Sequence, residues 1–145
     1  MSIEENKELI TRFIEDVFNE GNTRILAEII APDHVSHLPS GDHYGPEGVR
    51  IDIAGFRAAF PDLRLTVLDL IAEYDRVVFR FVANGTHEGP FMGIAPTGRR
   101  VIVDGIGIDH IREGKTFERW VQFDALGLLR QLGKVECEDK STAEV

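Results

Sequence analysis

The chain has 145 residues, a formal net charge of −9, 43% hydrophobic and 28% charged residues, and one cysteine. That length suits one domain around one core, and the composition is ordinary for a soluble fold. Clustered positive charge, the footprint of a nucleic-acid partner, is missing. No apolar run approaches the roughly 20 residues that span a bilayer. A lone Cys137 excludes an internal disulfide and a cysteine-based zinc cluster, and it reads as a surface thiol in a polar tail. The N-terminus, Met1-Ser2-Ile3-Glu4-Glu5, is acidic where a signal peptide is basic, so a cytoplasmic protein is expected.

Ser2-Ile3-Glu4-Glu5 has the form of a capping box at a helix start. Leu9, Ile10, Phe13, Ile14, Val17 and Phe18 then recur at helical spacing, and Gly21 ends the helix. Asn22 is the expected cap of a second helix with Ile25, Leu26, Ile29 and Ile30 on its buried stripe, stopped by Pro32. Asp33 to Leu38 reads as a short extended segment, followed by a polar loop from Pro39 to Gly45. Pro46 suits the first turn of a third helix, with Val49, Ile53, Phe56 and Phe60 on one face and Pro61-Asp62 at its close.

The period then changes to two. Leu63, Leu65 and Val67 alternate with polar residues, and Tyr74-Asp75 reads as a hairpin turn. Val77, Phe79, Phe81 and Ala83 point one way, Val78, Arg80, Val82 and Asn84 the other. A Gly/Pro-rich loop leads to strands near Arg99–Ile111 and Lys115–Phe123, joined at Glu113-Gly114. Ala125 to Leu132 forms a last short helix. Residues 1–133 are one expected domain, and 134–145 are a polar tail expected to be disordered. Helices segregated from a run of strands indicate an α+β fold: a curved antiparallel sheet wrapped over N-terminal helices, with an internal pocket at its mouth.

Phe18-Asn19-Glu20-Gly21-Asn22, Ala31-Pro32-Asp33-His34-Val35, Gly45-Pro46-Glu47-Gly48-Val49, Phe56 to Leu63, Gly93-Ile94-Ala95-Pro96-Thr97-Gly98-Arg99 and Ala125 to Gly133 together resemble the SnoaL-like polyketide cyclases. These are also labelled ester cyclases, within the nuclear-transport-factor-2-like (NTF2-like) superfamily. The resemblance runs over about residues 4 to 133. It implies an NTF2-like cone and an intramolecular aldol ring closure on a polyketide-like ester. It also implies that no metal or organic cofactor is used, that an acid at the Asp124 position handles protons with a histidine at His110 nearby, and that the protein is a dimer or tetramer.

The residues themselves offer competing roles. Asp124 is either a desolvated general acid/base beside Trp120 and Phe123 or the N-cap of the last helix. Asp104, Ile106, Ile108 and His110 share one strand face, and if that face lines the pocket, His110 can share a proton with Asp124. Gln122 has the parity of Asp124 and reads as a donor to a substrate carbonyl, with Trp120 as a pocket wall. His37 is expected at the pocket mouth. His87 either orients substrate or sets the turn of its loop. His34, His37 and His43 are too loosely spaced for a metal site. Arg99, Arg100, Glu118 and Arg119 read as surface or interface charges. Phe56, Phe60, Phe79, Phe81 and Phe91 read mostly as core. The expected partner is a small hydrophobic or aromatic substrate, with neither nucleic acid nor membrane. The alternatives are a ligand-binding module without chemistry, and an epoxide hydrolase using Asp104 and Asp124 with Arg80.

Overall fold

The computed structural model describes residues 2–134, so the expectations for the polar tail and Cys137 lie outside the described residues. The capping box is present: Ser2 Oγ accepts from the Glu5 N–H at 3.0 Å, and Glu5 accepts from the Ser2 N–H at 2.9 Å. It starts α1 (Ile3–Arg12), which widens into a π-helical stretch over Phe13–Asn19. Gly21 ends it with a positive φ of 75°, where a side chain would be strained. Asn22 makes no side-chain cap; Thr23–Ile25 forms a 3-10 turn instead, and α2 (Leu26–Ile29) follows.

Strand β1 (Ile30–Leu38) starts earlier than expected and runs through Pro32. Its pairing with β6 shifts register between Ile30 and Val35, which is where a residue without an N–H fits. The expected loop is mostly a strand, β2 (Gly41–Tyr44), folded back on β1 with Leu38 opposite Gly41. Four polar and glycine residues carry no alternation, so local pattern does not reveal it. Helix α3 (Gly45–Ala59) has Pro46 in its first turn. Strands β3 (Arg64–Glu73), β4 (Arg76–Thr86), β5 (Arg100–Arg112) and β6 (Lys115–Phe123) form the meander, and α4 (Ala125–Gln131) closes the domain.

All six strands form one open, curved sheet in the order β2-β1-β6-β5-β4-β3, antiparallel except for the parallel β1/β6 pair. The first helix packs on β3 and β4, and α3 packs on β1 and β2, so both lie in the sheet's concave side. Asn19 ties the π-helical end to the sheet edge: its side chain accepts from Leu65 N–H at 2.8 Å and donates to Leu65 O at 3.0 Å. The core joins Ile10, Ile14, Val17, Ile29 and Ile30 to Val77, Phe79 and Phe81. Among the described residues, no helix is long and apolar enough to cross a membrane.

Candidate functional site

Which face of β5 and β6 looks inward decides the site. Phe79 and Phe81 point into the core from β4, opposite Gly107 and Gly105 of β5. A Cβ on Gly105 would lie 2.2 Å from the Phe81 ring, and one on Gly107 would lie 2.3 Å from the Phe79 ring. The glycines therefore face inward beneath the two rings. Val101, Val103, Asp109 and Ile111 share that face and are buried. Asp104, Ile106, Ile108 and His110 consequently point outward, so the condition on which His110 could share a proton with Asp124 is not met. On β6 the inward set is Arg119, Val121 and Phe123, and the outward set is Glu118, Trp120 and Gln122.

Between helices and sheet lies a cavity of about 130 Å³, walled mainly by aromatic and aliphatic side chains. All five phenylalanines in question, at 56, 60, 79, 81 and 91, line it. Phe56 sits centrally, with ring centroids 6.2 to 6.4 Å from Phe91, Phe123 and Phe18. Three polar side chains join this wall: Ser36, Asp52 and Arg119. Strand register aligns their surroundings, because His43 of β2 pairs with Ser36 of β1, Ser36 with Arg119 of β6, and Arg119 with Asp109 of β5.

Asp52 lies on α3 in the same stripe as Val49, Ile53 and Phe56, and it is ion-paired with His43. Burial raises its pKa above the usual aspartate value, and the neighbouring His43 partly offsets this. Arg119, expected at the surface, is 5% exposed and holds Asp109, itself 0% exposed, through two bonds of 2.6 and 2.5 Å. Its guanidinium also lies 4.0 Å over the Phe13 ring.

His34 is buried beside this pair. Its Nδ1 meets the Thr116 carbonyl at 3.2 Å and its Nε2 meets Ser36 Oγ at 2.7 Å. Burial first, and then the Arg119 charge, hold its pKa down at about 4, against the pull of Asp109 and the Thr116 carbonyl. Below its usual 6.5, the unfolded histidine takes up a proton that the folded one refuses until about pH 4. Stability contributed by neutral His34 is thus complete above pH 6.5 and lost as pH falls through that window, by up to about 3 kcal/mol. His34→Gln is expected to flatten the fall in Tm between pH 7 and pH 5, measured in thermal melts. His37, raised by Glu118 and then Asp42, has the opposite sign, but it is part-exposed and contributes little.

None of the six side chains expected at the site lines this cavity. Asp124 is exposed and caps α4, accepting from Gly127 N–H at 2.8 Å. Its backbone pairs with Asp104 (N–O 3.0 Å), and His110 lies six residues further along β5. At about 3.4 Å per strand residue the two are about 20 Å apart and cannot share a proton. Asp104 is likewise on the outside. Asp124→Ala should lower stability by about 1 kcal/mol through the lost cap, read as a Tm shift of a few degrees.

The His110 ring lies tilted against Trp120 at 4.8 Å, and Trp120 stacks on His37 at 5.2 Å, so these three do meet, on the outer face. There His37 bridges Asp42 at 2.8 Å and Glu118 at 2.7 Å. Gln122 is exposed beside them. His87 is fully buried and sets its loop: Nδ1 accepts from Thr97 N–H at 3.1 Å, and its ring lies 5.5 Å from Phe60. Among the described residues, no group of three or more His, Cys, Asp or Glu side chains is placed to hold a metal ion. Asp52 was the legible omission: a carboxylate at the third position after Val49 and the fourth before Phe56 falls on the apolar stripe of α3.

Helices held in the curve of a six-stranded open sheet around a mainly apolar cavity with a few convergent polar groups define an α+β fold with an internal cavity. The family model of the SnoaL-like polyketide cyclases matches residues 8–132, and the chain belongs to that family. Aklanonic acid methyl ester cyclase AcmA of Streptomyces galilaeus is 31% identical over 128 residues, which are 86% of this chain and 88% of the relative. Nogalonic acid methyl ester cyclase of Streptomyces nogalater is 32% identical over 119 residues, 80% and 89% of the two chains. Among solved structures, TsrD from Streptomyces laurentii superposes with a TM-score of 0.84 at 34% identity, covering 93% of this chain and 99% of that one. Wild-type IdmH from Streptomyces antibioticus gives 0.78 at 36% identity, covering 88% and 98%.

Proposed function

We propose that the protein closes a ring in a small polyketide-like ester by an intramolecular aldol reaction, with Asp52 as the acid/base group. The observation that carries this is Asp52 itself: among the described residues it is the one carboxylate lining a mainly apolar cavity, and burial raises its pKa. The ionised carboxylate takes a proton from the carbon acidified by the neighbouring carbonyls. The resulting enolate attacks the second carbonyl, forming one C–C bond, and the same proton is returned to the developing alkoxide. His43, half-buried and paired with Asp52, connects that carboxyl to solvent. No metal or organic cofactor enters the scheme. Aklanonic acid methyl ester, the compound in a relative's name, is the first substrate to try. Ring closure by wild type, lost in Asp52→Asn and kept in Asp124→Asn, supports the assignment; the reverse pattern returns the role to Asp124.

We also propose that the protein is a homodimer through the outer sheet face. Ile71, Val78, Ile108 and Trp120 are register partners in a row across β3, β4, β5 and β6, with Ile71 61% and Trp120 37% exposed. Ile106 and Ile102 extend this apolar surface, which a second copy would cover by two-fold symmetry. Ile108→Lys is expected to give a monomer in sedimentation velocity; a wild-type monomer would remove the proposal.

A further inference from the structure

The other polar groups of the cavity have a pattern of their own, and it bears on what the cavity holds; the inference rests on that cavity being the substrate site. Ser36 and Arg119 face each other across the β1/β6 pair and both line the cavity. Paired strands put their backbones about 4.8 Å apart, close enough for two side chains to reach one functional group.

The hydrogen-bond chemistry of each is already constrained. The Thr116 carbonyl can only accept, so His34 carries its proton on Nδ1. The buried neutral ring then presents a bare Nε2, which takes the Ser36 hydroxyl hydrogen at 2.7 Å. Ser36 therefore offers only lone pairs to anything else. Arg119 has the opposite character, since a guanidinium only donates. Its Nε and Nη2 are committed to Asp109. Among the described residues, Nη1 has no acceptor, yet it is not one of the sealed, unpartnered polar atoms, which are Asn6 Oδ1 and His87 Nε2. Arg119 lines the cavity, and Nη1 is the guanidinium nitrogen left to bond a group held there.

We propose that Ser36 and Arg119 form an acceptor–donor subsite for a carbonyl oxygen flanked by an O–H or N–H: the enol form of a 1,3-dicarbonyl, or a carboxamide. Arg119 Nη1–H donates to the carbonyl oxygen, and the adjacent O–H or N–H donates to Ser36 Oγ. A group with two acceptors meets the serine lone pairs with its own. A simple ketone uses only the arginine half. His34 is a positioning residue, because it sets the direction of the serine hydroxyl. In an aldol closure the subsite would hold the carbon acid as its enol tautomer, which returns to the keto form before Asp52 takes the carbon proton, one strand away from the Asp52–His43 pair.

The test compares two non-ionisable ligands of one shape, benzamide and acetophenone, which differ by NH₂ against CH₃. Apolar cavities near this size accept a single benzene ring. Affinities are read from amide shifts in ¹H–¹⁵N spectra of the wild-type protein. Benzamide is expected to bind about three- to tenfold tighter than acetophenone, although it is the more strongly hydrated of the two. Ser36→Ala should remove the preference while leaving acetophenone binding within about twofold. His34→Leu, which frees the hydroxyl to donate, should shift the ratio toward acetophenone. Equal binding, or tighter binding of acetophenone by wild type, overturns the proposal without any variant. A preference surviving in Ser36→Ala overturns it as well, and an unchanged ratio in His34→Leu overturns the part given to His34. The readout is binding, so a fully active Asp52→Asn protein would sink the acid/base assignment and leave this result standing.

Discussion

Asp52→Asn is expected to reduce ring closure by about 10² to 10⁴-fold, the range for losing a positioned proton-transfer group. The substitution keeps volume and shape, so affinity for a neutral ligand and the Tm should change little. The loss belongs in kcat, because the proton moves only on the way to the transition state. The pH profile gives an independent check. The base form of Asp52 disappears as pH falls through a pKa that burial has raised, so activity should fail on the acid side at a higher pH than an ordinary aspartate would give. His43→Ala removes the positive partner that offsets burial, and the acid limb should move further up. A limb that stays put in His43→Ala would detach Asp52 from the titration.

Asp109→Ala should be among the most destabilising single substitutions in the chain. The Asp109 and Arg119 side chains are 0% and 6% exposed, and the pair is bidentate. Removing the acid strands a buried guanidinium, which typically costs about 3–5 kcal/mol. For a domain of this size that is a fall in Tm of roughly 10 °C or more, read by calorimetry. The control is the double variant Asp109→Ala with Arg119→Met. Stranding is the penalty, so removing both charges should recover much of the loss. If the double variant is no more stable than the single one, the cost lies in packing around position 109 rather than in the orphaned charge. His34 should respond too: Asp109 supports its protonated form, so without the acid its pKa should sink further.

The fold was legible wherever a few neighbouring residues decide the backbone. Ser2 and Glu5 complete a cap within one turn, Gly21 takes a conformation other residues avoid, and Pro46 needs only its own ring to suit a helix start. The alternation of Val77, Phe79 and Phe81 told correctly which side of β4 is buried. The family, too, could be read from local motifs spread along the chain, and the match over residues 8–132 bears it out. Strand β2 was missed because its four residues carry no apolar pattern.

The site was less legible. On β5 one face reads Val101, Val103, Gly105, Gly107, Asp109, and the other reads Ile102, Asp104, Ile106, Ile108, His110. Alternation groups each set of five but does not say which set is buried, and a role for His110 requires the second to face inward. The molecule does the opposite, because Phe79 and Phe81 lie over the two glycines and leave no room for a Cβ. That choice carries Asp124, Gln122 and Trp120 outward with β6, and brings Arg119 into the cavity.

Local sequence therefore determined where helices begin and end, the period of each strand and the family to which the chain belongs, since those depend on residues within a turn or two of one another. Only the tertiary structure decided which sheet face encloses the cavity and which acid enters it. That decision was made by the bulk of two phenyl rings on a neighbouring strand, more than twenty residues away in the chain.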